Sequence, residues 1–190
     1  MQWFIFSILF LVFSLKVVGQ VSGLNLKGKR FIRYMCDAGK HSSSASGGTE
    51  KSVQPASLLP HRGQMLLISE IVSFDSRMAI TRAVVAEKWP MTDSHGADAM
   101  VLIELVAQTA GINNGWTLVQ EKGPEVDHRG WIVGIKHARL FSKKIPLGTV
   151  IETTSENTFA YEGLREVSGT VRIGSQVAAQ VTLQLMQALG

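Results

Sequence analysis

Two polar side chains interrupt the apolar run MVLIELVAQTAG, Met100 to Gly111: the carboxylate Glu104 and, four residues on, the carboxamide Gln108. Taking a carboxylate out of water costs on the order of several kcal/mol unless a partner compensates it. Such an acid therefore needs either a structural partner or a task, and the task its type suggests is exchanging a proton or orienting a water. At i and i+4 the two side chains share one helix face, so Gln108 is placed to orient the acid or to tie the helix to its neighbours. The imidazoles that could work beside it are His41, His61, His95, His128 and His137. His95 lies on a loop just upstream of Glu104, whereas His128 and His137 read as surface positions. None of the five has metal-ligand spacing, and Cys36 stands alone, so neither a metal site nor an intramolecular disulfide is expected. No GxGxxG or GxxxxGK[ST] element is present, so nucleotide binding has no support.

A second constellation is basic: Arg62, Lys136, His137, Arg139, Lys143 and Lys144. The alternating charges of KHARLFSKK suit a solvated strand face, or equally a landing patch for an acidic partner. The formal net charge of +4 is mild, and no helix-turn-helix, zinc-finger or RNA-recognition pattern accompanies it, so no nucleic acid is expected as a partner.

The elements that must position these groups begin at Leu58. Gln64–Phe74 reads as a strand and Arg77–Glu87 as its hairpin partner, turned at Asp75-Ser76. Residues 89–97 carry Pro90, Asp93, Ser94 and Gly96 and read as a loop. With Ser94 or Asp98 as its cap, a helix is predicted from near Ala99 to Val119 or Gln120. Its first half is apolar on nearly every side, as in a helix wrapped by protein. The free N–H groups at its start could polarise a carbonyl. Four strands follow, roughly 131–141, 149–159, 163–173 and 176–186, separated by turn signals. Two strands, one long helix and four antiparallel strands imply an α+β layer architecture.

Upstream, WFIFSILFLVFSL (Trp3–Leu15) is too short for a membrane-spanning helix and lacks a positive flank before it. Residues 1–34 are read as a signal-like segment or an extension preceding a start at Met35. Residues 35–57, rich in Ser, Gly and Ala, are read as a disordered linker, and residues 58–190 as the folded domain. Export follows if residues 1–19 are a genuine signal peptide, and membrane attachment only if the apolar segment is retained.

Three blocks carry a family resemblance. LLPHRGQMLLISEIVSFD (Leu58–Asp75), ELVAQTAG (Glu104–Gly111) and GIKHARLFSKKIPLGTVIE (Gly134–Glu152) resemble, in order, the opening, the central helix and a later strand and turn of the bacterial β-hydroxyacyl-acyl carrier protein dehydratases. AQTAGINNGWTLVQEKG (Ala107–Gly123) is similar to the subgroup linked with aryl-polyene-type acyl chains. The resemblance implies the hotdog fold, an antiparallel sheet wrapped around one long central helix. It further implies a cytoplasmic homodimer that dehydrates 3-hydroxyacyl-acyl carrier protein. The substrate would arrive on the carrier's 4'-phosphopantetheine arm, with no other cofactor. In that family the helix carboxylate works with a histidine of a preceding H-F-P loop, and the corresponding positions here are Trp89 or Pro90. Glu104 is accordingly the first catalytic candidate and His95, on the same loop, the second. His61 matches a family motif that sits away from the proton-transfer pair. It is taken, with Gln108, Gly134 and Lys136, as a substrate-binding candidate, Gly134 by leaving backbone room for the thioester arm. The gap at the loop histidine keeps two alternatives open: a hotdog acyl thioesterase, whose carboxylate activates water, and a non-catalytic carrier-binding subunit.

Overall fold

The computed structural model of the chain describes residues 53–188. A short helix α1 (Pro55–Leu58) precedes strands β1 (Glu70–Phe74) and β2 (Met78–Val84), which form the expected hairpin. The Asp75 carboxylate closes its turn by accepting hydrogen bonds from the amides of Arg77 and Met78, at 2.7 and 2.8 Å. Strand β1 starts later than the apolar pattern suggests, because Gly63–Met65 is a 3-10 turn, with Gly63 at φ +58°. Residues 55–57, assigned above to the linker, are helical and seated on the long helix; residues 35–52 of that linker and the signal-like segment lie outside the described residues.

The loop before the long helix contains two short strands, β3 (Thr92–Asp93) and β4 (Gly96–Asp98), which join β6 (Lys144–Ile145) in a small separate sheet. Helix α2 (Val101–Lys122) then runs the length of the domain. Asp98 stands before it, accepting from the Met100 amide at 2.9 Å. The remaining strands are β5 (Gly130–Leu140), β7 (Val150–Tyr161), β8 (Leu164–Ile173) and β9 (Gln176–Gln187). The main sheet is antiparallel, in the order β1-β2-β7-β8-β9-β5.

The sheet curves around α2, which explains why the first half of that helix is apolar all round. Leu102, Leu105, Val106, Ala110 and Ile112 are wholly buried, among Ile151, Val167, Val181 and Leu183 of the sheet. Each large aliphatic side chain so buried contributes about 1.5–3 kcal/mol. Helix and sheet approach closely at Gly169 of β8, where an added Cβ would lie 2.2 Å from a Val106 methyl. This is the hotdog architecture that the family resemblance implies. Among the described residues no helix is long and apolar enough to cross a membrane.

Candidate active site

The carboxylate of Glu104 projects from the first turn of α2, where the positive end of the helix dipole favours an anion. It is 6% exposed. Gln108, one turn on, spends its entire amide on holding this corner together. Its Nε2 donates to Glu104 Oε1 at 3.0 Å and to the Met65 carbonyl at 2.8 Å, and its Oε1 accepts from the Leu67 amide at 3.0 Å. The extended chain before β1 is thereby tied to α2 through a single side chain. Gln108 is 1% exposed and does not line the neighbouring cavity, so its place is behind the acid and not on a substrate.

The imidazole that meets Glu104 is His61, whose Nε2 lies 3.2 Å from Glu104 Oε1. The chain brings it there by running against the direction of α2. Leu58 lies over Gly115, Leu59 over Gly111, and His61 arrives at Glu104. Oε1 thus contacts both His61 and Gln108, and Oε2 has no hydrogen bond among the described residues. Both His61 and Glu104 line a cavity of about 450 Å³, within the range of small-molecule sites. The floor is one face of α2 (Glu104, Ala107, Gly111, Asn114, Gly115) and the walls come from Leu59–Arg62, His128–Ile132, Arg165 and Leu185–Gln187.

His95 is elsewhere. It sits on the β3–β4 turn with its side chain 84% exposed, bonded through its amide to Asp93 and with Ser94 Oγ 3.3 Å from its ring. Asp93 also accepts from Lys144 at 2.7 Å, and that hydrogen bond, with the His95 amide, holds its carboxyl below the usual carboxylate range. The turn is therefore organised by a surface ion pair and does not bring His95 to Glu104. The expectation that His61 stands apart from the acid and that His95 approaches it is reversed by the geometry.

Gly134 and Lys136 also lie outside the cavity. A Cβ at Gly134 would sit 2.7 Å from Gln184 Oε1, so its bareness accommodates a neighbouring strand at a β-bulge and not a thioester arm. Lys136 pairs with Glu166 at 2.7 Å. Two cavity residues were not anticipated. His128, expected at the surface, is half-buried; its Nδ1 is buried without a hydrogen-bond partner among the described residues. Arg129 forms a bidentate pair with Asp127, which lowers the Asp127 carboxyl and raises the guanidinium. The one sequence cue for His61 is its neighbourhood: alone among the five histidines it follows two leucines and a proline, LLPH, a segment apt to be buried.

The chain matches the family model for ApeP-like dehydratases over residues 53–189. It is 30% identical over 139 residues to the 3-hydroxyacyl-[acyl-carrier-protein] dehydratase FabZ of Chlamydia trachomatis, covering 68% of this chain and 86% of that protein. With the FabZ of Chlamydia abortus it shares 27% identity over 133 residues, 65% of this chain and 82% of that one. Among solved structures it resembles the dehydratase heterocomplex ApeI:P of Xenorhabdus doucetiae, with a TM-score of 0.65, 20% identity, and coverage of 72% and 91%. The virulence protein Cj0977 of Campylobacter jejuni shares the fold at a TM-score of 0.53 and 18% identity, with coverage of 72% and 96%. A sheet wrapped around one helix, a buried carboxylate on that helix and a family match spanning the described domain lead to one conclusion: the chain belongs to the ApeP-like dehydratases, and its activity is that of a 3-hydroxyacyl-acyl carrier protein dehydratase-like lyase.

Proposed function

We propose that His61 and Glu104 are the acid–base pair of this dehydratase, acting on a 3-hydroxyacyl thioester carried by acyl carrier protein. The observation that carries the reading is the 3.2 Å contact of His61 Nε2 with Glu104 Oε1 inside the cavity. Dehydration needs a base for the α-proton and an acid for the β-hydroxyl, within reach of adjacent carbons. With one proton shared by the pair, neutral His61 takes the α-proton while the carboxylic acid of Glu104 protonates the departing hydroxyl. The Cα–H and Cβ–O bonds break, the Cα=Cβ double bond forms, and water leaves. Imidazolium and carboxylate remain, and after the product leaves, loss of the imidazolium proton to solvent and uptake of one by the carboxylate restore the starting state. Gln108 fixes the rotamer of the acid, leaving Oε2 for the substrate hydroxyl.

The relatives named for acyl-carrier-protein substrates support the carrier as partner, and the 4'-phosphopantetheine arm is then part of the substrate; the reading calls on no further cofactor. Arg165 on the cavity wall suits an acidic partner better than the strand lysines, since Lys136 and Lys144 are already paired. A homodimer is part of the same reading. Among the described residues strand β5 pairs only with β9 and exposes Trp131 and Val133, so its outer edge offers a pairing surface. The ApeI:P heterocomplex makes a paralogous partner the alternative.

Mass spectrometry of 3-hydroxyacyl-acyl carrier protein incubated with the protein tests the assignment. Loss of one water from the acyl chain, abolished in Glu104→Gln and His61→Ala, is expected. Release of free carrier would mean thioester hydrolysis instead, and full turnover by His61→Ala would remove the imidazole from the mechanism.

A further inference from the structure

His61 belongs to a short stretch with little secondary structure of its own, yet its ring stands 3.2 Å from the carboxylate of a helix it joins only through space. We propose that Arg62, together with the seat formed by Gly111 and Gly115 on α2, positions His61 against Glu104. The inference deepens the proposed function and rests on it for its kinetic consequence.

Arg62 makes no ion pair among the described residues. Its Nη1 donates instead to two main-chain carbonyls, Leu59 at 2.5 Å and His61 at 2.7 Å. The two carbonyls flank Pro60, which has no N–H with which to stabilise the bend itself. One guanidinium group therefore clips together the residues on both sides of the proline, through bonds strengthened by its charge. The peptide from which the imidazole projects is held by the residue immediately after it.

The seat fixes the same segment from the other side. A Cβ on Gly115 would come within 2.5 Å of the Leu58 carbonyl oxygen, and one on Gly111 within 2.5 Å of Leu59 Cδ2. The first clash is with backbone, which cannot rotate away, so any side chain at Gly115 lifts α1 and the residues after it off the helix. The spacing of Gly115, Gly111 and Glu104 along α2 sets the path of Leu58, Leu59 and His61. A clip and a seat act on one segment, and the only catalytic candidate that segment carries is His61.

The test uses the full chain, with Arg62→Ala, Arg62→Lys and Gly115→Ala. Two readouts are compared: kcat and KM on a 3-hydroxyacyl-acyl carrier protein, and the NMR signals of ¹³Cε1-labelled histidines. The displacement of the His61 signal caused by Glu104→Gln reports the contact without turnover. Arg62→Ala should lower kcat about tenfold, equivalent to about 1.4 kcal/mol of barrier, with KM within about twofold. It should also shrink the Glu104→Gln displacement by more than half. Arg62→Lys, whose ammonium can still reach a carbonyl, should recover most of both. Gly115→Ala should show the same pair of effects; if it fails to fold, the exposed position of Arg62 keeps the test available. Wild-type kcat with an undiminished displacement in Arg62→Ala would overturn the proposal. So would a raised KM at unchanged kcat, which would place Arg62 on the substrate. If Glu104→Gln itself turns over normally while the displacement still depends on Arg62, the positioning stands and the assignment of the catalytic pair falls.

Discussion

Gln108→Met would remove the three hydrogen bonds behind the Glu104 carboxylate while keeping the length and approximate volume of the side chain. The Leu67 amide, on a residue 1% exposed and so closed to solvent, would lose its acceptor. An orphaned buried donor of this kind costs about 1–3 kcal/mol. Glu104 Oε1 would lose a donor, and a hydrogen bond to a charged group contributes about 1.5–3 kcal/mol. The Met65 carbonyl belongs to a half-buried residue and can turn to solvent, so its share is small. Added apolar contact offsets little, because the pocket is shaped to a planar amide. The total is roughly 3–5 kcal/mol, a large part of the ~5–15 kcal/mol that holds a domain of this size together.

At about 3–5 °C per kcal/mol for such a domain, scanning calorimetry should show Tm falling by roughly 10–20 °C. Turnover measured well below the new transition should also fall, because the acid is free to leave the rotamer that faces His61. A Tm within about 3 °C of the parent would refute the reasoning, since a buried amide left without its acceptor carries that cost. A large loss of stability with kcat unchanged would refute only the second half, leaving Gln108 as a tie between helix and strand with no hold on the chemistry.

His61→Ala should lower kcat by about 10²–10⁴-fold, the usual worth of a positioned acid or base, while His95→Ala, on the exposed β3–β4 turn, should leave kcat within about twofold; steady-state kinetics on one acyl thioester compares them directly. Gly169→Ala pushes a Cβ into both Val106 methyls, at 2.2 and 2.7 Å, and should cost about 1–3 kcal/mol in urea unfolding. Adding Val106→Ala should recover part of that loss, and strict additivity of the two would show that the pair is not in contact. The lowered Asp93 carboxyl makes the β3–β4 turn pH-sensitive, chiefly through its hydrogen bond to Lys144. A group depressed on folding stabilises above its unfolded value, here 3.8, and the contribution disappears as pH falls through the folded value. The difference in urea midpoint between the parent and Lys144→Met should therefore be present near neutral pH and close in acid. A difference that persisted unchanged in acid would assign it to packing of the lysine stem.

Much of the architecture was legible in the sequence because it depends on short-range periodicity. The apolar alternation of Arg77–Glu87 and of the three last strands follows from one buried sheet face, and an all-round apolar helix half follows from being enclosed. The small sheet β3-β4-β6 was not legible, since strands of two or three residues have no period. Their pairing depends on Ala97 meeting Ile145, far along the chain. Nor was helix α1: Pro55–Ser57 look like the end of a polar linker until Gly115 and Gly111 are seen to leave room for Leu58 and Leu59 just after them. The carboxylate was legible as a buried charge that something must compensate, but the compensating group was not.

That the histidine in contact with Glu104 was not foreseen has a physical reason. Counting back from Glu104 along the chain assumes that the base arrives on the loop leading into α2, where Trp89 and Pro90 stand and where His95 is the nearest substitute. Nothing in proton transfer requires that route. The reaction asks only that an imidazole nitrogen and a carboxylate oxygen share a cavity at about 3 Å. Two elements of this fold can reach the start of α2: the β2–α2 loop, and the segment that returns along the helix from α1. Here the loop is committed to a surface ion pair, Asp93 with Lys144, and presents its histidine to solvent. The returning segment is clipped by Arg62 and carries its histidine inward. The helix carboxylate fixes the place of the contact, and the path of the chain decides which imidazole meets it. A spacing rule written for one path therefore misses an imidazole delivered by the other.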